Sequence, residues 1–152
     1  MIGGDEGLVC SYDMTTHNLV DVFEASAKIT ALAVFKTDEN SFITAVGTSS
    51  GNVIFRADWQ QDYIAMSNCG NRAINDLVFS KNGMKLCAAS NDKNVYLFNY
   101  DEEGMYNKGA QCKLENGIPV SINFSEDSKK ILVVTNQRRL IIIDAETFQS
   151  YY

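Results

Sequence analysis

The chain has 152 residues, of which 45 % are hydrophobic and 21 % charged, with one proline, the composition of a folded globular domain and not of a disordered segment. Thirteen Lys/Arg stand against nineteen Asp/Glu, a net charge of −6, which argues against general nucleic-acid binding because neutralising phosphates needs a basic face. No apolar run approaches the roughly 20 residues of a membrane helix, and the opening Met1-Ile2-Gly3-Gly4-Asp5-Glu6 lacks the basic end and apolar stretch of a signal peptide, so a cytoplasmic protein with no membrane contact is expected.

Strand-like apolar runs separated by Gly, Asn, Asp and Ser clusters fill the chain, and no helical periodicity persists. A first, partial unit over 1–24 carries the run Gly7-Leu8-Val9-Cys10 and a turn at Thr15-Thr16-His17-Asn18. A second unit over 28–67 has an apolar run ending at Phe35, the polar turn Lys36-Thr37-Asp38-Glu39, and the run Asn52-Val53-Ile54-Phe55. The third unit, 73–115, reads as four strands at Ile74–Phe79, Lys85–Ala89, Val95–Asn99 and Gln111–Leu114, with a long acidic link from Asp101 to Gly109 before the fourth. A last partial unit, 118–152, supplies three strands between 118 and 144.

Two markers give these units one period. Leu8, Val53, Val95 and Leu140 occupy equivalent places at spacings of 45, 42 and 45. Phe35, Phe79 and Phe124 each end an apolar run before a polar turn, at spacings of 44 and 45. Four short strands per roughly 40–45 residues is the signature of a propeller blade. The expected fold is therefore all-β: a fragment of a β-propeller of about three and a half four-stranded blades. Closed propellers need about 4–8 blades, so the open edges and apolar blade faces call for the remainder of the propeller or a second chain to cover them.

The stretch Asn75-Asp76-Leu77-Val78-Phe79-Ser80-Lys81-Asn82-Gly83 through Asn91-Asp92-Lys93-Asn94-Val95-Tyr96-Leu97-Phe98 resembles the WD-repeat consensus. Ser80 to Gly83 matches its turn after the innermost strand, and Asp92 its usual aspartate between the second and third strands. The naming Trp-Asp pair falls on Phe98-Asn99, Ile143-Asp144, Arg56-Ala57 and Ser11-Tyr12, keeping only Asp144. Within that family, the third strand at Asn91 to Tyr96, the following Tyr106-Asn107-Lys108 and the strand carrying Cys112 are similar to the echinoderm microtubule-associated protein-like propellers. The resemblance implies a cytoskeletal scaffold with tubulin or microtubules among its protein partners. A WD-repeat adaptor of another multiprotein complex (axonemal, transport or ubiquitin-ligase) is the alternative.

Catalytic chemistry has few candidates. His17 is the single histidine, so no Ser-His-Asp or Cys-His pair has a second choice. The carboxylate pairs Asp5-Glu6, Asp38-Glu39, Glu102-Glu103 and Glu126-Asp127 all fall in turns. Cys10, Cys69, Cys87 and Cys112 form no Cys-x-x-Cys and read as free thiols with no metal or disulfide role. No cofactor is expected, and no enzyme activity. The residues singled out for partner binding are Arg72, Arg138 and Arg139, in loops of one propeller face. Exposed arginine is enriched at interface hot spots, although the net −6 opposes an acidic partner.

Overall fold

A computed structural model describes residues 2–38, 41–58 and 65–151. The described residues contain fifteen strands and no helix. They form four antiparallel meanders in chain order, and the fold is the expected all-β partial propeller. The first sheet has three strands, β1 (Ile2–Gly3), β2 (Leu8–Tyr12) and β3 (Leu19–Glu24). The second comprises β4 (Ile29–Lys36), β5 (Phe42–Thr48), β6 (Asn52–Ala57) and β7 (Ala65–Asn68). The third is β8 (Ile74–Phe79), β9 (Lys85–Ser90), β10 (Asn94–Tyr100) and β11 (Tyr106–Lys113). The fourth is β12 (Pro119–Phe124), β13 (Lys130–Thr135), β14 (Leu140–Asp144) and β15 (Ser150–Tyr151).

Alternation along the strands explains how the sheets stack. Successive strand residues point to opposite faces, and here both faces of the middle sheets are apolar. Cys87, Ala89, Val95 and Leu97 pack toward the fourth sheet, against Ile131, Val133, Ile141 and Ile143. The alternate residues Leu86, Ala88, Tyr96 and Phe98 pack toward the second sheet, with Val53 and Phe55. Val9 of the first sheet and Ala25, in the link that follows it, close on Val46 and Ile54. Aromatic rings fill the interface of the second and third sheets: Phe55 stacks on Tyr106 at 4.6 Å and meets Phe98 edge-on at 5.4 Å. Such pairs contribute about 0.5–1.5 kcal/mol each beyond their burial.

The innermost strands β4, β8 and β12 lie side by side. Gly47 permits the close approach of the second and third sheets, since a Cβ there would sit 2.6 Å from Ile74 Cγ2. Between the third and fourth sheets, the Asp76 carboxylate accepts the Ser121 hydroxyl (3.0 Å) and the Ile122 amide (2.9 Å), and Asn75 donates to the Pro119 carbonyl at 2.8 Å.

Three details differ from the sequence reading. The fourth strand of the third unit starts at Tyr106 and not at Gln111, because Asp101 closes a tight turn by accepting the amides of Glu103 and Met105. The long link is thus a short turn followed by an eight-residue strand. The last sheet has a fourth strand, β15, paired with β14 through Ile142–Tyr151 and Ile143–Ser150; its two residues are too few to show a periodicity.

The first unit is displaced by one residue. Gly7, Gly51, Lys93 and Arg138 all have positive φ (77, 86, 73 and 61°) and each donates its amide to the carbonyl three residues back. Val9, not Leu8, therefore matches Val53, Val95 and Leu140, and Tyr12-Asp13, not Ser11-Tyr12, stands in the Trp-Asp place. Asp13 and Asp144 make the same turn, each accepting two amides of the residues that follow. A slip of one residue exchanges the two faces of a strand, and it is the buried face of Val9 that exposes the error.

Candidate interaction face

A four-stranded meander presents its turns at two ends. The turns between second and third strands, with the links between sheets, form one face. The turns between first and second, and between third and fourth strands, form the other. Arg72 lies exposed in the link from β7 to β8, and Arg138 and Arg139 lie exposed in the turn from β13 to β14. All three are on the first of these faces, on two separate loops. Arg138 occupies the left-handed position of its turn, which glycine fills at Gly7 and Gly51. An L-residue there costs roughly 1–2 kcal/mol.

An open groove of about 360 Å³ lies on this face, at the mouth of the space flanked by the innermost strands. Thr30, Asn75 and Val120, each the second residue of its innermost strand, line it. Asn91 and Asn136 overhang it from the turns that carry Lys93 and Arg138, and their amides donate to the carbonyls of Ala73 and Ile118. Arg72 immediately precedes Ala73, itself a lining residue. The sequence offered no sign of this groove, since its residues come from three units and share only their position in the repeat.

Charge divides between the faces. Among the described residues, the turns and links of the groove face hold five cations (Lys28, Lys93 and the three arginines) against Asp5, Glu6, Asp92 and Glu115. Asp5 is paired with Lys28 at 2.6 Å. Asp92 accepts the Tyr96 hydroxyl at 2.6 Å and the Asn94 amide at 2.9 Å. Burial works to raise the Asp92 pKa, but those hydrogen bonds outweigh it and hold the carboxyl below its usual range. On the opposite face the described turns hold nine Asp/Glu against Lys81 and Lys129. Strands of about six residues separate the faces by roughly 20 Å, more than twice the ~8 Å Debye length at physiological salt. The net −6 therefore does not set the potential at the groove face.

The remaining candidates are placed as follows. His17 stands at positive φ in the turn between β2 and β3, donating its amide to the Asp13 carbonyl. Asp127 caps its own turn by accepting the Ser125 hydroxyl and the Lys129 amide, which hold its pKa below the usual range. Asp38 accepts the Ser41 amide, while its neighbour Glu39 lies outside the described residues. Among the described residues, no three His, Cys, Asp or Glu side chains cluster as a metal would require, and no helix is long and apolar enough to cross a membrane. The four thiols are free; burial raises Cys69 to about 12 and pushes Cys87 up as well.

One half-buried ion pair escaped the sequence reading. Arg56 of β6 makes a two-pronged contact to Asp21 of β3 and lies 4.8 Å over the Phe23 ring. It stands where the resemblance places tryptophan, and it joins the first two sheets.

No protein-family profile matches the chain. It is 28% identical over 106 residues to the 77 kDa echinoderm microtubule-associated protein of Strongylocentrotus purpuratus, a match covering 69% of this chain and 16% of that protein. The protein of the same name from Lytechinus variegatus is 27% identical over 106 residues, with the same coverage. Echinoderm microtubule-associated protein-like 4 of Xenopus laevis is 25% identical over 91 residues, covering 59% of this chain and 10% of that protein. The matched region is thus about a sixth of the length of the first two relatives. At this low identity, and over part of its length, the chain is similar to microtubule-associated proteins.

Proposed function

We propose that the chain is a non-catalytic protein-interaction scaffold of the cytoskeleton, part of a WD-repeat-type propeller that engages microtubules through its groove face. The observation that carries this reading is the similarity to the 77 kDa microtubule-associated proteins over 69% of the chain, taken with a fold whose strands are apolar and whose turns are polar and varied. A rigid scaffold presenting variable loops is the usual carrier of recognition. Arg72, Arg138 and Arg139 are the contact side chains, acting on an acidic partner surface over distances short enough to be sensitive to salt. The chain works in the cytoplasm, as one partial propeller whose open ends are covered by further sheets or a second chain.

Microtubule co-sedimentation tests this, comparing the native protein with Arg72→Ala/Arg138→Ala/Arg139→Ala. The triple variant is expected in the supernatant. Equal pelleting of both proteins removes this face from the account, and absence of pelleting by either favours an adaptor in a different complex.

A further inference from the structure

Each internal junction joins two different sheet surfaces, and both kinds recur, uncovered, on the two end sheets. Val53 and Phe55 of β6 face the third sheet, and Val95 and Leu97 of β10, at the equivalent places, face the fourth; all four are buried. In β14 those places fall to Leu140 and Ile142, and Leu140 is 59% exposed. On the receiving side, Tyr96 and Phe98 of β10, and Ile141 and Ile143 of β14, are buried against the preceding sheet. Their equivalents in β2 are Cys10 and Tyr12, and Tyr12 is 45% exposed. The ion pair between the first two sheets marks the outer end of such a junction, with Arg56 on the receiving strand β6 and Asp21 on β3. Tyr12 stands in the place of Arg56. Tyr151, 55% exposed, stands in that of Asp21, since it lies opposite Ile142 as Asp21 lies opposite Ser11. The two uncovered surfaces therefore offer tyrosine to tyrosine where the internal junction sets opposite charges.

We propose that these surfaces bind each other between two copies of the chain, the fourth sheet of one against the first sheet of the other, at two identical junctions. Resting on the partial-propeller reading above, this names the chain that covers the open faces. The occupant is a second copy because the surface each end sheet needs is the one the other end sheet carries. Unlike surfaces meeting head to tail form a ring when the rotation closes. Two copies of four sheets make eight, within the range of about 4–8 blades of closed propellers. Tyrosine rings brought together there gain offset or edge-on packing while their hydroxyls stay at the wet rim.

Sedimentation velocity of the whole chain, from low to high micromolar concentration, tests this. The expected species has twice the 16.9 kDa mass of the chain. Leu140→Glu, Tyr12→Arg and Tyr151→Asp change exposed positions and leave the core untouched, and each should weaken dimerisation at least about tenfold. Tyr12→Arg/Tyr151→Asp in one chain rebuilds the pairing of Arg56 with Asp21 and should regain most of that loss, a recovery that a misfolded single variant would not show. A single-chain mass at every concentration, or a mass that grows beyond two chains, would overturn the proposal. So would a dimer lost in Leu140→Glu but kept in Tyr12→Arg, which is a surface meeting its own kind, or a double variant no better than the single ones. Co-sedimentation separates this claim from the functional one. If the chain stays monomeric yet pellets with microtubules, the ring is wrong and the microtubule reading stands. If it dimerises as described but never pellets, the ring stands and the microtubule reading falls.

Discussion

Gly47 is where the packing of the sheets can be tested with a single methyl group. A Cβ at this position would lie 2.6 Å from Ile74 Cγ2, 2.8 Å from Ile74 Cβ and 3.2 Å from the Ala31 Cβ. Carbon atoms in good contact sit about 3.5–4.0 Å apart, so the overlap with Ile74 is close to an ångström. Ile74 is fully buried on an innermost strand and has little room to retreat. Overpacking of this kind costs typically about 1–3 kcal/mol. Against it, replacing glycine by alanine restricts the unfolded chain and returns about 0.4–1 kcal/mol. The overlap wins, and Gly47→Ala should destabilise by about 1–2 kcal/mol, lowering the urea midpoint with an unchanged slope. Ile74→Ala alone should cost about 2–5 kcal/mol, and the double variant less than the sum, because the methyl group that meets the new Cβ is gone. Gly47→Ala at native stability, or strict additivity in the double variant, would refute the close approach of β5 and β8.

Four further outcomes follow from the same geometry. Asp76→Ala strands the Ile122 amide and the Ser121 hydroxyl and should cost about 1–3 kcal/mol, with faster hydrogen exchange at Ile122. Asp92, held below its usual range by the Tyr96 and Asn94 hydrogen bonds despite burial, contributes stability that is full above its unfolded pKa and is lost as pH falls through the folded one. The stability difference between the native chain and Asp92→Asn should accordingly shrink on acidification, and a constant difference across the acid limb would contradict it. Alkylation followed by mass spectrometry should label Cys10 before Cys69 and Cys87, whose thiols burial keeps protonated; equal labelling would contradict the burial. Arg138→Gly relieves a left-handed backbone and should melt no lower than the native chain while weakening microtubule binding, which separates the role of this side chain in recognition from any role in stability.

The blade plan was legible because strand and turn chemistry repeat at one interval: Phe35, Phe79 and Phe124 close the innermost strand or its apolar run in every later unit. The first unit was harder. Gly7 matches Gly51 by backbone conformation, whereas Lys93 and Arg138 fill the same left-handed position with long side chains, so residue type alone does not align the four turns. Asp76 reads in sequence as one more polar strand residue, and only the neighbouring sheet, 45 residues on, reveals its partners. The arginines were visible as exposed loop residues, but the groove beside them was not. It is made by the second residues of three strands whose spacing is the repeat itself, and nothing local marks them. The objection raised by the net charge dissolves for a similar reason, since the total says nothing of which end of the strands the acids occupy.

The orientation of the bound chain is the point on which the account turns, and lysine-reactive footprinting on microtubules reads it directly. Lys93 marks the groove face, while Lys81 and Lys129 mark the opposite one, and all three are exposed in the free chain. Binding through the groove face predicts that microtubules protect Lys93 from acetylation and leave Lys81 and Lys129 as reactive as before. Protection of Lys81 and Lys129 with Lys93 still fully reactive would contradict it.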